Sequence, residues 1–138
     1  MEADRLVYLK KIMSTIINTP NAPAPIGPYN QAVWAGNILF LSGQIALDAA
    51  TGDLVLTDIP TETHKVMGNI KAILTEAGLD FSNIVKSQIF LKDLGDFAVV
   101  NEIYSSYFTG NYPARDTIQV AALPKNVNVE ISVVAYKA

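Results

Sequence analysis

The side chains best placed to do chemistry lie in residues 111–136. Tyr112-Pro113-Ala114-Arg115-Asp116-Thr117 opens one extended run there, and Asn128-Val129-Glu130-Ile131-Ser132 lies in a second. Alternation at the strand period puts Arg115, Thr117, Gln119 and Ala121 on one face of the first run, with Ile118 and Val120 on the other. In the second run Asn128, Glu130 and Ser132 share a face opposite Val127, Val129, Ile131 and Val133. If the two runs pair as an antiparallel hairpin with their apolar faces aligned, the polar faces align too, and Arg115 and Glu130 share one surface. Pro113 fixes its own φ and biases Tyr112 towards extended geometry, so Arg115 enters its strand stiffly. A guanidinium held in this way suits a planar carboxylate, which it can bind through two parallel hydrogen bonds. An arginine at a strand start is also, and more often, a surface residue or an ion-pair partner. Glu130, within an apolar run, needs a partner, water or an interface, because an unpaired buried charge is too costly.

The composition limits what else can take part. The 138 residues suit one domain, with ten basic against thirteen acidic side chains and a net charge of −3. No basic block is present to follow a phosphate backbone, so nucleic acid is an unlikely partner. The chain has no cysteine and a single histidine, His64. Disulfides, thiolate nucleophiles, cysteine-ligated metals and multi-histidine metal sites within one chain are therefore excluded. Hydroxyls, carboxylates, arginine or lysine, backbone groups and water remain. No apolar run approaches the length of a membrane span. Residues 1–12 carry Glu2 and Asp4 and lack a signal-peptide core, so a cytoplasmic location is expected. Met13 is an equally good start, which makes residues 1–12 an extension of uncertain status.

The elements that must position these residues can be read in order. Residues 18–29, with four prolines, form an irregular extended segment that wraps the domain and delivers Tyr29. Residues 32–35 and 38–42 flank Gly36-Asn37 as a hairpin, followed by Ser42-Gly43-Gln44. Asp58 opens a helix with Val66, Ile70, Ile73 and Ala77 on one stripe and Gly78 as its stop. His64 reads as a solvated residue of that helix. Residues 84–91 form a strand. Asp96 then caps a second helix with Phe97, Val100, Tyr104 and Tyr107 on its apolar stripe, closed by Gly110. Asn101 and Ser105 fall on its more polar, solvated part. The order hairpin, helix, strand, helix, hairpin predicts an α+β fold, with two helices packed on one face of a single mixed β-sheet. The other face, expected to carry Arg115, Thr117, Gln119 and Glu130 with Ala121 and Val134, has no third layer to cover it. A second subunit is the simplest cover, and a closed cyclic oligomer leaves clefts between subunits.

Several motifs taken together resemble the RidA/YjgF family. They are Asn21-Ala22-Pro23 through Ile26-Gly27-Pro28-Tyr29, Ser42-Gly43-Gln44, Ile84-Val85-Lys86, Lys92-Asp93-Leu94 with Asp96-Phe97, and Tyr112-Pro113-Ala114-Arg115 with Leu123-Pro124 and Glu130. Each is weak alone, but their order and spacing are specific, and the resemblance runs from about Met13 to Tyr136. It implies a single domain over residues 13–138 with a chorismate-mutase-like fold, assembled as a homotrimer with three intersubunit clefts. It also implies hydrolysis, without a cofactor, of reactive enamines and imines such as 2-aminoacrylate, 2-iminopropanoate and 2-iminobutanoate to 2-ketoacids and ammonia. By the same resemblance Arg115 binds the substrate carboxylate, Glu130 handles the catalytic water, and Tyr29, Ser42 and Asn101 line the cleft. Gly43 would contribute backbone beside Ser42. Thr117 stands where many active members carry cysteine, which changes the pocket shape but not the proposed hydrolysis. A non-catalytic 2-ketoacid-binding protein and, less favoured, an RNA-cleaving member are the alternatives.

Overall fold

The computed structural model describes the backbone of residues 1–138 and the side chains of all but residues 10–14. Its elements are α1 (Glu2–Thr15), β1 (Ile16–Ile17), β2 (Ala32–Ala35), β3 (Ile38–Leu41), α2 (Ile59–Glu76), β4 (Ile84–Leu91), α3 (Phe97–Ser105), β5 (Ala114–Gln119) and β6 (Val129–Tyr136). The strands form one mixed sheet in the order β1-β2-β3-β6-β4-β5. The β4–β5 pair is parallel, and the other pairs are antiparallel. The α+β plan with a single sheet is therefore present. A third helix joins the two expected, because residues 2–12 belong to α1. Among its described side chains Leu6, Val7 and Tyr8 are exposed.

Local chemistry explains the two core helices. Asp58 adopts extended backbone and its carboxylate accepts from Thr61 N at 2.7 Å. Pro60 follows in the first turn, where its missing N–H costs nothing. Gly78, at φ +76°, ends the helix in the left-handed region, with Leu79 N returning to Leu74 O. The cap of α3 differs from expectation. Asp96 makes no side-chain capping bond; Asp93 accepts from Gly95 N and starts a short 3₁₀ turn, Leu94–Asp96, that runs into the helix. The helix ends at Ser105, well before Gly110, so Tyr107 lies beyond it.

One face of the sheet carries the core. Leu39, Ile89, Leu91, Val129, Ile131, Val133 and Ala135 pack against Val66, Met67, Ile70, Ile73 and Leu74 of α2 and Val100 and Tyr104 of α3, all nearly inaccessible. The opposite face has no layer over it and exposes Val33, Ile38, Phe40, Ile118 and Tyr136.

The expected C-terminal hairpin is absent. β4 lies between β5 and β6, parallel to the first and antiparallel to the second. The β5–β6 connection is too long for a tight turn, and it contains a 3₁₀ turn with Lys125 and Asn126 at positive φ. In the ladders Ser87 is opposite both Arg115 and Val133, while Phe90 is opposite Glu130 and Ile118. Cross-strand partners share a face. Arg115, Thr117 and Gln119 therefore lie on the helix-covered side, whereas Glu130, Ser132 and Val134 lie on the uncovered side. Within one chain Arg115 and Glu130 are on opposite faces, contrary to the shared surface expected from alternation.

Candidate functional site

All the candidate residues except Thr117 line one or other of two clefts. The first, about 470 Å³, is lined by Asn101, Tyr104, Ser105, Tyr112, Pro113 and Arg115. Arg115 rises from β5 towards α3, where its Nη1 donates to Asn101 Oδ1 at 2.7 Å. Its guanidinium carbon lies 5.1 Å from the centre of the Tyr104 ring and 5.7 Å from that of Phe97, within cation–π range. Tyr104 Oη in turn donates to Ser87 Oγ at 2.8 Å in a buried pair. Burial raises the Tyr104 phenol above its ordinary value, against the lowering effects of Ser87 and Arg115, and keeps it a neutral donor. Asn101 is thus a ligand of Arg115 rather than a freely solvated helix residue. Thr117 lies two residues beyond Arg115 on the same face, and its Oγ1 is buried without a hydrogen-bond partner among the described residues.

The second cleft, about 380 Å³, includes Tyr29, Ser42, Gly43, Gln44 and Glu130 in its lining. Glu130 points from the uncovered face against the Ser42–Gln44 backbone. A Cβ on Gly43 would sit 3.0 Å from the Glu130 carboxyl carbon, so any larger residue there would displace this carboxylate. Partial burial raises the Glu130 carboxyl above the ordinary glutamate value. Arg115, on the other face, does not offset that effect within the chain. Ser42 Oγ donates to Asn30 O at 2.7 Å. With its proton committed there, the hydroxyl presents lone pairs to the cleft and can accept from a ligand.

Two buried polar residues, not singled out from the sequence, hold this half in place. Gln31 accepts from Thr19 N at 2.7 Å and donates to Thr19 O at 3.0 Å and Pro23 O at 2.9 Å. It thereby pins the proline-rich segment that delivers Tyr29. Tyr29 Oη accepts from Ile26 N at 3.3 Å, closing the loop on itself. Glu62, fully buried on α2, accepts from Asn128 N at 2.8 Å, Asn128 Nδ2 at 2.7 Å and Val129 N at 2.9 Å. The backbone entering Glu130 is held by these bonds. Replacing Glu62 by alanine orphans the buried N–H of Val129 and the part-buried N–H of Asn128 and is expected to destabilise the fold by about 3 kcal/mol. Chemical denaturation of Glu62→Ala and Glu62→Gln checks this, with the glutamine retaining most of the stability. The sequence did carry one signal: Glu62 lies four residues before Val66, on the buried stripe of α2, where a lone carboxylate requires donors.

The remaining polar groups are engaged elsewhere. His64 is exposed on α2 as expected, with Nδ1 2.8 Å from Tyr107 Oη. Among the described residues neither Arg115 nor Glu130 forms an ion pair; the side-chain pairs are Lys65–Asp48 and Lys86–Asp116. No described helix is long and apolar enough to cross a membrane.

Comparison with known proteins places this arrangement. The Endoribonuclease L-PSP family model matches residues 19–137. A RutC family protein of Pyrococcus horikoshii is 50% identical over 125 residues, covering 91% of this chain and 99% of the relative. The 2-iminobutanoate/2-iminopropanoate deaminase of Mus musculus is 45% identical over 127 residues, covering 92% and 94%. Among solved structures, E. coli TdcF with bound serine superposes with a TM-score of 0.85 at 41% identity, covering 89% of this chain and 98% of that one.

Proposed function

Because the chain belongs to the RidA/YjgF family, described by its family model as Endoribonuclease L-PSP, we propose that it hydrolyses small 2-imino and enamino acids to 2-ketoacids and ammonia. The observation that carries this reading is the pairing of two incomplete halves. Among the described residues, one holds a guanidinium without a carboxylate partner, and the other holds a half-buried carboxylate without a cationic one. The two groups lie on opposite faces of one sheet, so they can meet only if the Arg115 cleft of one protomer closes against the Glu130 cleft of another. A ring of three copies in the chorismate-mutase-like arrangement does this while covering the apolar face that includes Phe40 and Ile118, which are 50% and 48% exposed in the single chain.

In such a site Arg115 binds the substrate carboxylate through the guanidinium donors not used by Asn101. The imine carbon is already electrophilic once its nitrogen is protonated, so positioned water and proton transfer suffice. Glu130 takes a proton from the water as its oxygen bonds to the imine carbon, and the C=N pair moves onto nitrogen. The resulting carbinolamine collapses: Glu130 returns its proton to the amino nitrogen, then takes the hydroxyl proton as C=O forms and the C–N bond breaks, and passes that proton to the departing ammonia, which leaves as ammonium. Ser42, whose lone pairs face the cleft, is suited to accept from the iminium N–H, while Tyr29 and Thr117 shape the space around the substrate side chain. None of these steps needs a cofactor. The name of the mouse relative and the serine bound to TdcF support a small carboxylate-bearing ligand.

The test is ammonia release from freshly generated 2-iminopropanoate, measured against the uncatalysed rate. Acceleration supports the deaminase. Tight 2-ketoacid binding without acceleration assigns the chain to the non-catalytic binding proteins. The family description keeps an RNA-directed reading in view; salt-dependent RNA binding with cleavage would favour it, although the lone histidine is bonded to Tyr107.

A further inference from the structure

We propose that the buried Ser87–Tyr104 pair is a positioning device for Arg115. It fixes the aromatic face on which the guanidinium lies, and so sets the direction in which the free guanidinium donors meet a carboxylate. This rests on Arg115 being the carboxylate anchor. Ser87 is directly opposite Arg115 in the β4–β5 ladder, so the arginine's backbone and the serine hydroxyl are carried by the same pair of strands. Tyr104 reaches from α3 to that hydroxyl at 2.8 Å, the residue being 3% exposed and Ser87 fully buried. Turning the ring breaks the bond and leaves two buried hydroxyls unpaired. The guanidinium carbon rests 5.1 Å from this immobilised ring. Asn101, three residues earlier on the same face of α3, takes one guanidinium nitrogen at 2.7 Å. Phe97 offers a second ring at 5.7 Å, but it is 37% exposed and not anchored by a hydrogen bond.

An arginine held on one face and one edge has few rotamers left to lose. It therefore retains more of the energy of its bidentate contact than a solvated arginine does. Tyr104 acts through Arg115 on carboxylate affinity and leaves proton transfer at Glu130 untouched. Its signature is a change in KM and ligand affinity at nearly constant kcat.

The experiment is calorimetric titration with pyruvate, together with steady-state kinetics on 2-iminopropanoate. It uses the full-length protein carrying Tyr104→Leu, Tyr104→Phe or Ser87→Ala, each with Arg115 or with Arg115→Lys. Tyr104→Leu is expected to weaken pyruvate binding and raise KM about tenfold, and Tyr104→Phe and Ser87→Ala about threefold, with kcat within about twofold of wild type. In the Arg115→Lys background the Tyr104→Leu effect on affinity should shrink to under about twofold, because the group it positions is gone. Unchanged affinity in Tyr104→Leu, or an equal loss in both backgrounds, overturns the proposal and leaves Tyr104 a packing residue. If Tyr104→Leu fails to fold, Tyr104→Phe and Ser87→Ala carry the same comparison. If Arg115→Lys leaves pyruvate binding intact, Arg115 is not the anchor and both readings fall. Weakened binding in Arg115→Lys with none in the Tyr104 variants removes the positioning role alone.

Discussion

Replacing Arg115 by lysine or alanine is expected to lower kcat/KM for 2-iminopropanoate by on the order of a hundredfold or more, equivalent to about 2.7 kcal/mol of transition-state stabilisation. Lysine keeps the charge but cannot reproduce the planar fork, nor lie flat on Tyr104 while donating to Asn101. The substrate is then held at one point, and the imine carbon no longer faces the water reliably. Alanine should be at least as damaging. Arg115 forms no ion pair among the described residues, so the fold should survive both changes. Steady-state kinetics beside size-exclusion with light scattering checks this. A folded Arg115→Ala protein at near wild-type rate would remove Arg115 from the mechanism.

Glu130→Gln should cost about 10²–10⁴-fold in kcat by removing the base, while pyruvate binding at Arg115 stays within a few-fold. The pH profile supplies a second readout. Burial raises the Glu130 carboxyl within the chain, and in the proposed shared cleft a guanidinium brought beside it would oppose that rise. Once substrate is bound its own carboxylate compensates the guanidinium, so desolvation dominates in the complex. The base form is then lost as pH falls through a value above that of ordinary glutamate, about 4.3. The acid limb of kcat should accordingly lie higher than the acid limb of kcat/KM, which reports the free enzyme. Glu130→Gln should abolish the limb. A limb that persists in this variant assigns the proton transfer to another group.

Much of the fold was legible in the sequence because its signals are local. Asp58 and Gly78 mark the ends of α2 through capping chemistry, Gly36-Asn37 marks the first hairpin, and the apolar runs mark β4 and β6. Strand neighbours are not local information. Alternation shows which residues of β5 share a face with Arg115, and which of β6 share one with Glu130, but not which strand lies between them. Inserting β4 between the two transferred Arg115 to the helix side. The α3 cap moved from Asp96 to Asp93 because a 3₁₀ turn precedes the helix, a difference of one turn that residue type does not resolve. Residues 2–12 of the expected extension are helical, in line with helix formers such as Glu2, Ala3, Arg5, Leu6 and Leu9. The candidate site residues form two groups, Arg115 and Asn101 in one cleft and Tyr29, Ser42, Gly43 and Glu130 in the other, while Thr117 lines neither. Their supports, Glu62, Gln31, Ser87 and Tyr104, act through contacts distant in sequence, and only Glu62 carried a warning in its position on a buried stripe.

The division of the site between two protomers is tested most directly by subunit complementation. Arg115→Ala and Glu130→Gln proteins, each inactive alone, are unfolded together in equal amounts and reassembled. In a closed ring each site takes its Arg115 from one protomer and its Glu130 from the next, so random mixing restores about one quarter of the sites to wild type. Recovery of about one quarter of wild-type activity, with each variant refolded alone remaining inactive, is the result predicted. A mixture no more active than its components, in assemblies shown by mass spectrometry to contain both variants, would contradict a site shared between subunits.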